Sequence, residues 1–320
     1  MPKFDSAFYK IFASEDDAVK AFQNDEVDSI LELNGLSDHG HDTVGSSALM
    51  MKSSDQNLFF LVFNLSNSVL NDSAYRQVFM CILDTQMLAG QLNNENVLTS
   101  FIELDERFWN NPNATLPCIG LDSASRISQA IQILKTAGYT WKVMPSRTAN
   151  GQGLTSKAGE AFPAINLVVS SSDEQEGNVG KYIQQQLSLL GVPITTVSIN
   201  SEDLRYAVFS DHQFDMALLE YGVSEYPGYL CDWFKGGNPF GYQSDRLQSA
   251  CEALNSTSDL STAQKDVYEI QSILAQDLPF IPLYSGITYD AYRNIKYPFD
   301  SMLGGLSSIY GAPSLAIPAP

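Results

Sequence analysis

Apolar and polar positions along this chain alternate between two periods, that of a strand and that of a helix. The strongest apolar runs are 57–64, 165–171, 193–199 and 214–220, and each has the length of a buried strand. Segments with apolar residues at helical spacing lie between and after these runs. This alternation predicts an α/β fold, in which mixed β-sheets are flanked by helices.

The remaining pattern sets further expectations. Residues 3–33 predict a strand, helix and strand, with Ser14 capping the helix and an extended start marked by Phe4, Phe8 and Ile11. Residues 34–56 look polar and irregular, a helix is expected over 74–92, and 280–293 indicates a strand or two. The predicted helix 125–137 is capped by Asp122 or Ser123 and ends before Gly138.

Composition narrows the function classes. A chain of 320 residues with 44% apolar residues predicts a folded protein of two or more lobes. The net charge of −19 repels phosphate backbones, so no nucleic-acid partner is expected. The sequence shows neither an apolar run of the roughly 18 residues that a membrane span needs nor the features of a signal peptide.

The four cysteines predict neither a zinc site nor a redox site, since none lies in a C-x-x-C pair. Cys81 falls in an apolar helical run and is interpreted as core. Cys118 and Cys231 lie in predicted loops and are the better bridge candidates, whereas Cys251 lies in a predicted helix. Four cysteines allow three pairings, and the pattern does not choose among them.

The candidate site is the run 214–232, where an apolar strand leads into a loop rich in Tyr, Gly, Pro, Ser and Glu. Such loops hold small molecules in α/β proteins. No nucleophile elbow, metal cage or phosphate loop accompanies it. We therefore expect a protein that binds a ligand without transforming it, with no catalytic residue, metal or cofactor. The candidate ligand-binding residues are Tyr221, Gly222, Val223, Ser224, Glu225, Tyr226, Tyr229, Trp233 and Asn64.

Some of the residues that could carry function also have a purely structural interpretation. Each aromatic residue of the loop is individually expected to pack the lobe rather than contact ligand. The acidic pairs Asp16–Asp17, Asp25–Glu26 and Glu174–Glu176 are interpreted as helix caps and solvated faces.

Four stretches resemble the family 5 extracellular solute-binding proteins, which serve peptide, dipeptide and nickel ABC importers. They are DDAVKAFQNDEVD, LVFNLSNSVLNDSAYRQVFMCILD, SRISQAIQILKTAGY and the long run from Tyr182 to Tyr284. In the second stretch, Asn64, Asp72, Arg76 and Asp84 match the family pattern. The resemblance covers nearly the whole chain in order, but only the later part of a typical member.

The resemblance implies two lobes that close like a clamshell around the ligand, with the periplasmic-binding-protein-like fold of type II, cluster C. Residues 1–64 would belong to the first lobe, 65–284 would form the second lobe, and 285–320 would return to the first. The implied function is the substrate-binding component of an ABC importer that captures an oligopeptide or similar small solute in an interlobe cleft. The implied partners are that solute and an ABC permease complex at the membrane.

The resemblance also implies an extracellular or periplasmic location, with a lipid anchor on the full-length protein. The chain is expected to be a piece of a longer protein, whose signal segment it does not contain. A piece without the other ligand-facing lobe is expected to bind ligand weakly.

The chain departs from the family pattern in the loop. Peptide-binding members carry an Asp four residues before the loop Pro, where it pairs with the ligand's free amine, and Val223 stands at that position. Glu225 could substitute. The family's N-p-e-x-D pattern is also degraded at 244–248. Asn64 is expected to fix backbone at the lobe crossover.

Two alternative functions are open. Asp38, His39, His41 and Asp42 resemble half of the metal box of metallo-β-lactamase-like hydrolases, which would make the protein a metal-dependent hydrolase. The second alternative is a ligand-sensing module of a regulator, because family 5 folds also occur fused to transcriptional regulators.

Overall fold

The computed structural model describes residues 4–33, 41–84, 87–88, 92, 96–102, 108–146, 149–224, 226–234, 238–307 and 316–318. The helices are α1 (Glu15–Gln23), α2 (His41–Val44), α3 (Ser73–Ile82), α4 (Ser123–Thr136), α5 (Glu174–Leu189), α6 (Ser201–Phe209), α7 (Tyr229–Asp232), α8 (Asp245–Ser256) and α9 (Leu260–Asp277). The strands are β1 (Ser29–Leu33), β2 (Leu49–Phe63), β3 (Asn96–Val97), β4 (Ile165–Ser170), β5 (Ile194–Ile199), β6 (Met216–Gly222), β7 (Phe280–Tyr292), β8 (Ile295–Lys296) and β9 (Ile317–Pro318).

Most of the described strands form one mixed sheet in the order β1-β7-β2-β6-β4-β5, with β3 paired to β7. The pairs among β1, β7, β2 and β6 are antiparallel, whereas β6, β4 and β5 run parallel. The predicted α/β class with helices flanking a mixed sheet is confirmed. Because β4, β5 and β6 are parallel, their carboxyl ends meet at one edge of the sheet.

The long antiparallel strands β2 and β7 connect two hydrophobic clusters. The larger cluster packs around the part of β2 from Leu58 onward and the part of β7 up to Tyr284. A smaller cluster packs around α1 and β1, and it takes Ile287, Tyr289 and Ala291 from the other half of β7. The backbone thus passes from one apolar centre to the other within two continuous strands.

Helix starts follow the predicted cap chemistry. The side chains of Ser14, Asp72 and Asp122 accept hydrogen bonds from backbone N–H groups in the first turns of α1, α3 and α4. Gly138 follows α4 with a φ of +91°, a conformation that suits glycine at a helix end.

Several expected boundaries are wrong. Within the described residues 4–14 no strand forms, and Phe8 and Ile11 are 94% and 95% exposed there. The segment 34–56 is not irregular throughout, because β2 already begins at Leu49 and pairs with β7 from that residue. Helix α3 ends at Ile82, whose successor Leu83 has extended backbone, rather than continuing toward residue 92.

The cysteines form two disulfide bonds, Cys81–Cys118 and Cys231–Cys251. The interpretation of Cys81 as an ordinary core thiol is therefore wrong, although the residue is fully buried. Cys118 and Cys231 are both bridged as expected, and each pairs with a cysteine on a helix. The sequence could not reveal the bridge of Cys81, because a free thiol and a disulfide sulfur are both apolar and both fit a buried helical position.

Candidate functional site

The candidate site lies where β6 ends, at the edge formed by the carboxyl ends of the parallel strands. Tyr221 and Gly222 are still part of β6 and pair with Leu58 and Asn57 of β2. The predicted loop therefore begins two residues later than the sequence suggests, at Val223. Continued pairing with β2 explains the difference, since this antiparallel neighbour extends beyond the last apolar residue of β6.

The first loop residues are held in place locally. The Val223 N–H donates a 2.7 Å hydrogen bond to the Gln56 carbonyl, and the Val223 side chain is buried. The exposed Ser224 hydroxyl donates to the carbonyl of Tyr226 at 2.8 Å. Glu225, which could supply the anion lost at Val223, lies outside the described residues.

Tyr229 and Trp233 lie inside the large hydrophobic cluster. The Trp233 ring stacks on Phe60 at 4.7 Å, and Tyr221 meets it edge to face at 4.8 Å. The Trp233 indole N–H is buried and finds no hydrogen-bond partner among the described residues. These two side chains pack the lobe in this structure, and their contact with ligand stays a prediction.

Tyr226 is the candidate aromatic residue that faces solvent, with 45% of its surface exposed. Its ring meets Trp109 edge to face at 5.6 Å, and Trp109 meets the exposed Phe108 in the same manner at 4.8 Å. Burial raises the pKa of Tyr226, and the nearby charge of Asp266 adds to the shift. Sequence reasoning missed Phe108 and Trp109, an adjacent aromatic pair in a loop. Hydrophobic periodicity does not predict where the residues of a loop lie in the fold.

Asn64 makes the contacts expected of a structural residue. Its side-chain amide donates to the carbonyls of Phe214, at 2.9 Å, and His212, and its oxygen accepts from the Ser66 N–H. These bonds tie the end of β2 to the segment that leads into β6. A role in binding ligand stays a prediction.

One acidic residue differs from its expected role. Glu176 is buried at the carboxyl end of β4, where its carboxylate accepts a 2.9 Å hydrogen bond from the Ser170 N–H. Burial raises its pKa to about 7. The interpretation of Glu176 as a solvated residue is therefore wrong, and Asp173 caps the helix instead.

Two further carboxylates lie near this edge. Burial raises the pKa of Glu220 on β6, and the charges of Asp55 and Asp173 raise it further. Burial also raises the pKa of Asp55, which accepts hydrogen bonds from the Asn57 and Gly286 N–H groups. Three carboxyl groups thus lie near this edge, and those that are ionised favour neutral or positively charged ligands over anions.

The residues of the alternative metal site are only partly described. Asp38 and His39 lie outside the described residues, and the backbone of His41 and Asp42 begins α2. Within the described part of the chain, no group of three or more His, Cys, Asp or Glu residues could hold a metal ion.

The mixed sheet and its helical cover define a protein of the periplasmic-binding-protein-like class. Residues 1–240 match the family model described as bacterial extracellular solute-binding proteins, family 5 middle. The chain therefore belongs to this family, and the family resemblance of the sequence is confirmed. No curated protein matches the sequence.

Solved structures share the fold at low sequence identity. The oligopeptide-binding protein AppA from Bacillus subtilis, in complex with a nonapeptide, is 18% identical, with a TM-score of 0.65 over 98% of this chain and 60% of that one. NikA from Brucella suis, in complex with Fe(III)-EDTA, is 16% identical, with a TM-score of 0.67 over 97% and 61% of the two chains. NikZ from Campylobacter jejuni, in complex with Ni(L-His), is 17% identical, with a TM-score of 0.62 over 93% and 59%.

The chain thus spans about 60% of the length of these proteins. Among the helices that the structure describes, none is both long enough and apolar enough to cross a membrane.

Proposed function

We propose that this protein is the substrate-binding component of an ABC importer and that it holds a small, peptide-like solute without transforming it. The observation that best supports this proposal is the position of the loop after β6. It lies at the edge where the parallel strands end, beside the point at which β2 and β7 pass from one hydrophobic cluster to the other. A ligand at that point would contact both halves of a two-lobed protein and stabilise their closure.

The lobe division rests on the two clusters. The sequence predicts a second lobe at 65–284, a first-lobe part at 1–64 and a return at 285–320, and we propose that the first of these boundaries lies earlier, within β2. On β7 the last residue of the large cluster is Tyr284 and the first of the small cluster is Ile287, which supports a division there. On β2, Met50 packs against the small cluster and Leu58 belongs to the large one, so the hinge would lie between them.

The hinge is marked by an irregularity. The pairing of β2 with β7 shifts register between Ser54 and Leu58. Asp55 lies within the shift and approaches Gly286 so closely that a Cβ on that glycine would overlap the carboxylate. A bulge of this kind bends a strand and gives two lobes a place to pivot.

The ligand class follows from the charges of the site. Val223 cannot pair with the free amine of a peptide, and the strand edge beside it carries Glu176, Glu220 and Asp55. We infer a neutral or cationic solute. Export, a lipid anchor and an ABC permease complex as partner complete the proposal.

The proposal is tested by calorimetry and small-angle scattering on the protein expressed from its whole reading frame. Titration with a pool of two- to nine-residue N-acetylated peptides, neutral or carrying Lys or Arg, should show binding with a decrease in the radius of gyration, and the recovered peptides should be chemically unchanged. Tyr226→Ala should weaken binding about tenfold, as loss of a central aromatic contact does. The matched control is Tyr206→Ala, since Tyr206 is 60% exposed on α6. Cleavage of the peptides, or binding without compaction, would contradict the proposal.

A further inference from the structure

Three aromatic rings form a continuous surface next to the candidate loop. Phe108 and Trp109 meet at 82°, and Trp109 and Tyr226 meet at 89°, so successive rings enclose two near-perpendicular corners. Phe108 and Tyr226 are 46% and 45% exposed, and Trp109 is half-buried. We call Phe108, Trp109 and Tyr226 the aromatic ledge.

The ledge is fixed rigidly to α9. The Trp109 carbonyl accepts a 2.6 Å hydrogen bond from the Gln271 side chain, and the Phe108 carbonyl accepts one of 2.6 Å from Gln264. Asn111 continues the attachment, because its side chain donates to the Tyr268 carbonyl at 2.9 Å. The backbone that carries Phe108 and Trp109 is therefore held in place before any ligand arrives, which lowers the entropic cost of binding to their rings.

A carboxylate accompanies the rings. Asp266 lies on α9, and its Oδ2 atom is shielded from solvent and has no hydrogen-bond partner among the described residues. Its charge acts on the Tyr226 hydroxyl, which places the two side chains within electrostatic range. A shielded carboxylate without a donor is costly unless a positive charge comes near it.

The ledge lies on the side of the sheet where β6 ends. Helix α9 ends at Asp277, shortly before β7 begins, and that start of β7 pairs with Val62 at the far end of the sheet from the loop. Asp266 stands about 16 Å back along the helix axis from Asp277, toward the edge where β6 ends. Tyr226, four residues beyond the end of β6, contacts Trp109 of the ledge.

We propose that the aromatic ledge and Asp266 form a subsite for the ammonium group of an organic cation. Aromatic faces attract ammonium groups through the ring quadrupole, and corners of perpendicular rings surround such a group on several sides. Asp266 adds a negative charge near Tyr226, and it stabilises the bound cation at a distance rather than by direct contact. The net charge of −19 draws cations to the protein as a whole. This inference rests on the proposed function, because it assigns the ligand's charge within the same cleft.

The probe is choline, compared with its neutral isostere 3,3-dimethylbutan-1-ol, on the protein from its whole reading frame. Binding is followed by calorimetry and by the fluorescence of the tryptophans. Choline should bind and the alcohol should not. Trp109→Leu, which keeps an apolar side chain without a π face, should weaken choline binding fivefold or more, an effect of about the size expected for a cation–π contact. Asp266→Asn should weaken it severalfold, more strongly at low salt.

The matched control for charge is Asp211→Asn, which removes one exposed carboxylate outside the ledge and should leave choline binding unchanged. Circular dichroism confirms that each variant is folded. Equal binding of choline and the alcohol, or unchanged choline affinity in Trp109→Leu or in Asp266→Asn, would overturn the subsite.

The outcomes separate the two proposals. If peptides bind with compaction and choline does not bind, solute capture stands and the ammonium subsite is wrong. If choline binds in the manner described and no peptide of the pool is captured, the subsite stands and capture of peptide-like solutes is wrong.

Discussion

The carboxylate of Asp55 occupies the space that a side chain on Gly286 would fill. The Gly286 N–H donates to the same carboxylate, so the two residues lock β2 to β7 within the register shift. The contact lies between the two hydrophobic clusters, and any movement of one cluster relative to the other would act on it.

Gly286→Ala is expected to destabilise the protein by about 3 kcal/mol, since overpacking a close backbone contact forces a local shift. Urea unfolding followed by circular dichroism measures the change. Gly222→Ala is the matched control on a strand, because its nearest atom, the Gln56 carbonyl oxygen, lies 3.9 Å away. Adding Asp55→Ala to Gly286→Ala should recover part of the loss, and strictly additive effects would show that the two residues do not conflict.

Glu176 makes the stability of the protein depend on pH. Its pKa is about 7 in the folded chain, against 4.5 as its ordinary value. Between these values the folded chain holds the proton and the unfolded chain releases it, so the free energy of unfolding falls as pH rises from about 4.5 to 7. The fall is on the order of 3 kcal/mol, and it ends above pH 7 because both states are then ionised.

Glu176→Gln should remove this dependence, because the amide oxygen still accepts from the Ser170 N–H and carries no charge. The variant is expected to be more stable than the parent at pH 8 and equal to it near pH 4.5. Glu174→Gln is the control, since Glu174 is exposed one position after the helix cap. Parallel pH profiles for the parent and Glu176→Gln would rule out this role of the buried carboxylate.

The family motif was informative about structure more than about ligand. Asp72 caps α3, and Arg76 is buried and donates to the carbonyls of Leu70, Asp277 and Leu278, which ties α3 to the end of α9. Asn64 likewise bonds to backbone. These side chains satisfy backbone groups where elements end, and this explains why a pattern of residue types could predict the fold.

The site could be predicted only in outline. Apolar periodicity located β6 and the loop after it, but whether Tyr229 points to the core or to solvent depends on packing between distant elements. The partnership of Trp109 with Tyr226 joins residues far apart in the sequence, and no local pattern reports such a contact. The burial of Glu176 likewise depends on tertiary packing, because its carboxylate lies against the end of β4, and the sequence pattern does not show this contact.

Each disulfide is expected to contribute on the order of 3 kcal/mol through restriction of the unfolded chain. The Cys81–Cys118 bond closes a separation of 37 residues and Cys231–Cys251 one of 20. Replacing either pair by alanine should lower the midpoint of urea unfolding, with a slightly larger loss for the longer loop. Titration of free thiols in the parent protein under denaturing, non-reducing conditions should find none, and two or more reactive thiols would contradict the pairing.

Asn64→Asp is expected to destabilise the protein by about 2 kcal/mol, because it replaces an amide donor with a carboxylate that faces the carbonyls of His212 and Phe214. Thermal unfolding at pH 8 measures the loss, and lowering the pH should restore part of it by protonating the new carboxylate. The exposed Asn255 provides the control in Asn255→Asp. A variant Asn64→Asp that keeps its stability but binds peptide more weakly would contradict this structural role. Asn64 would then be assigned to ligand binding, because its bonds to the His212 and Phe214 carbonyls would not be needed for stability.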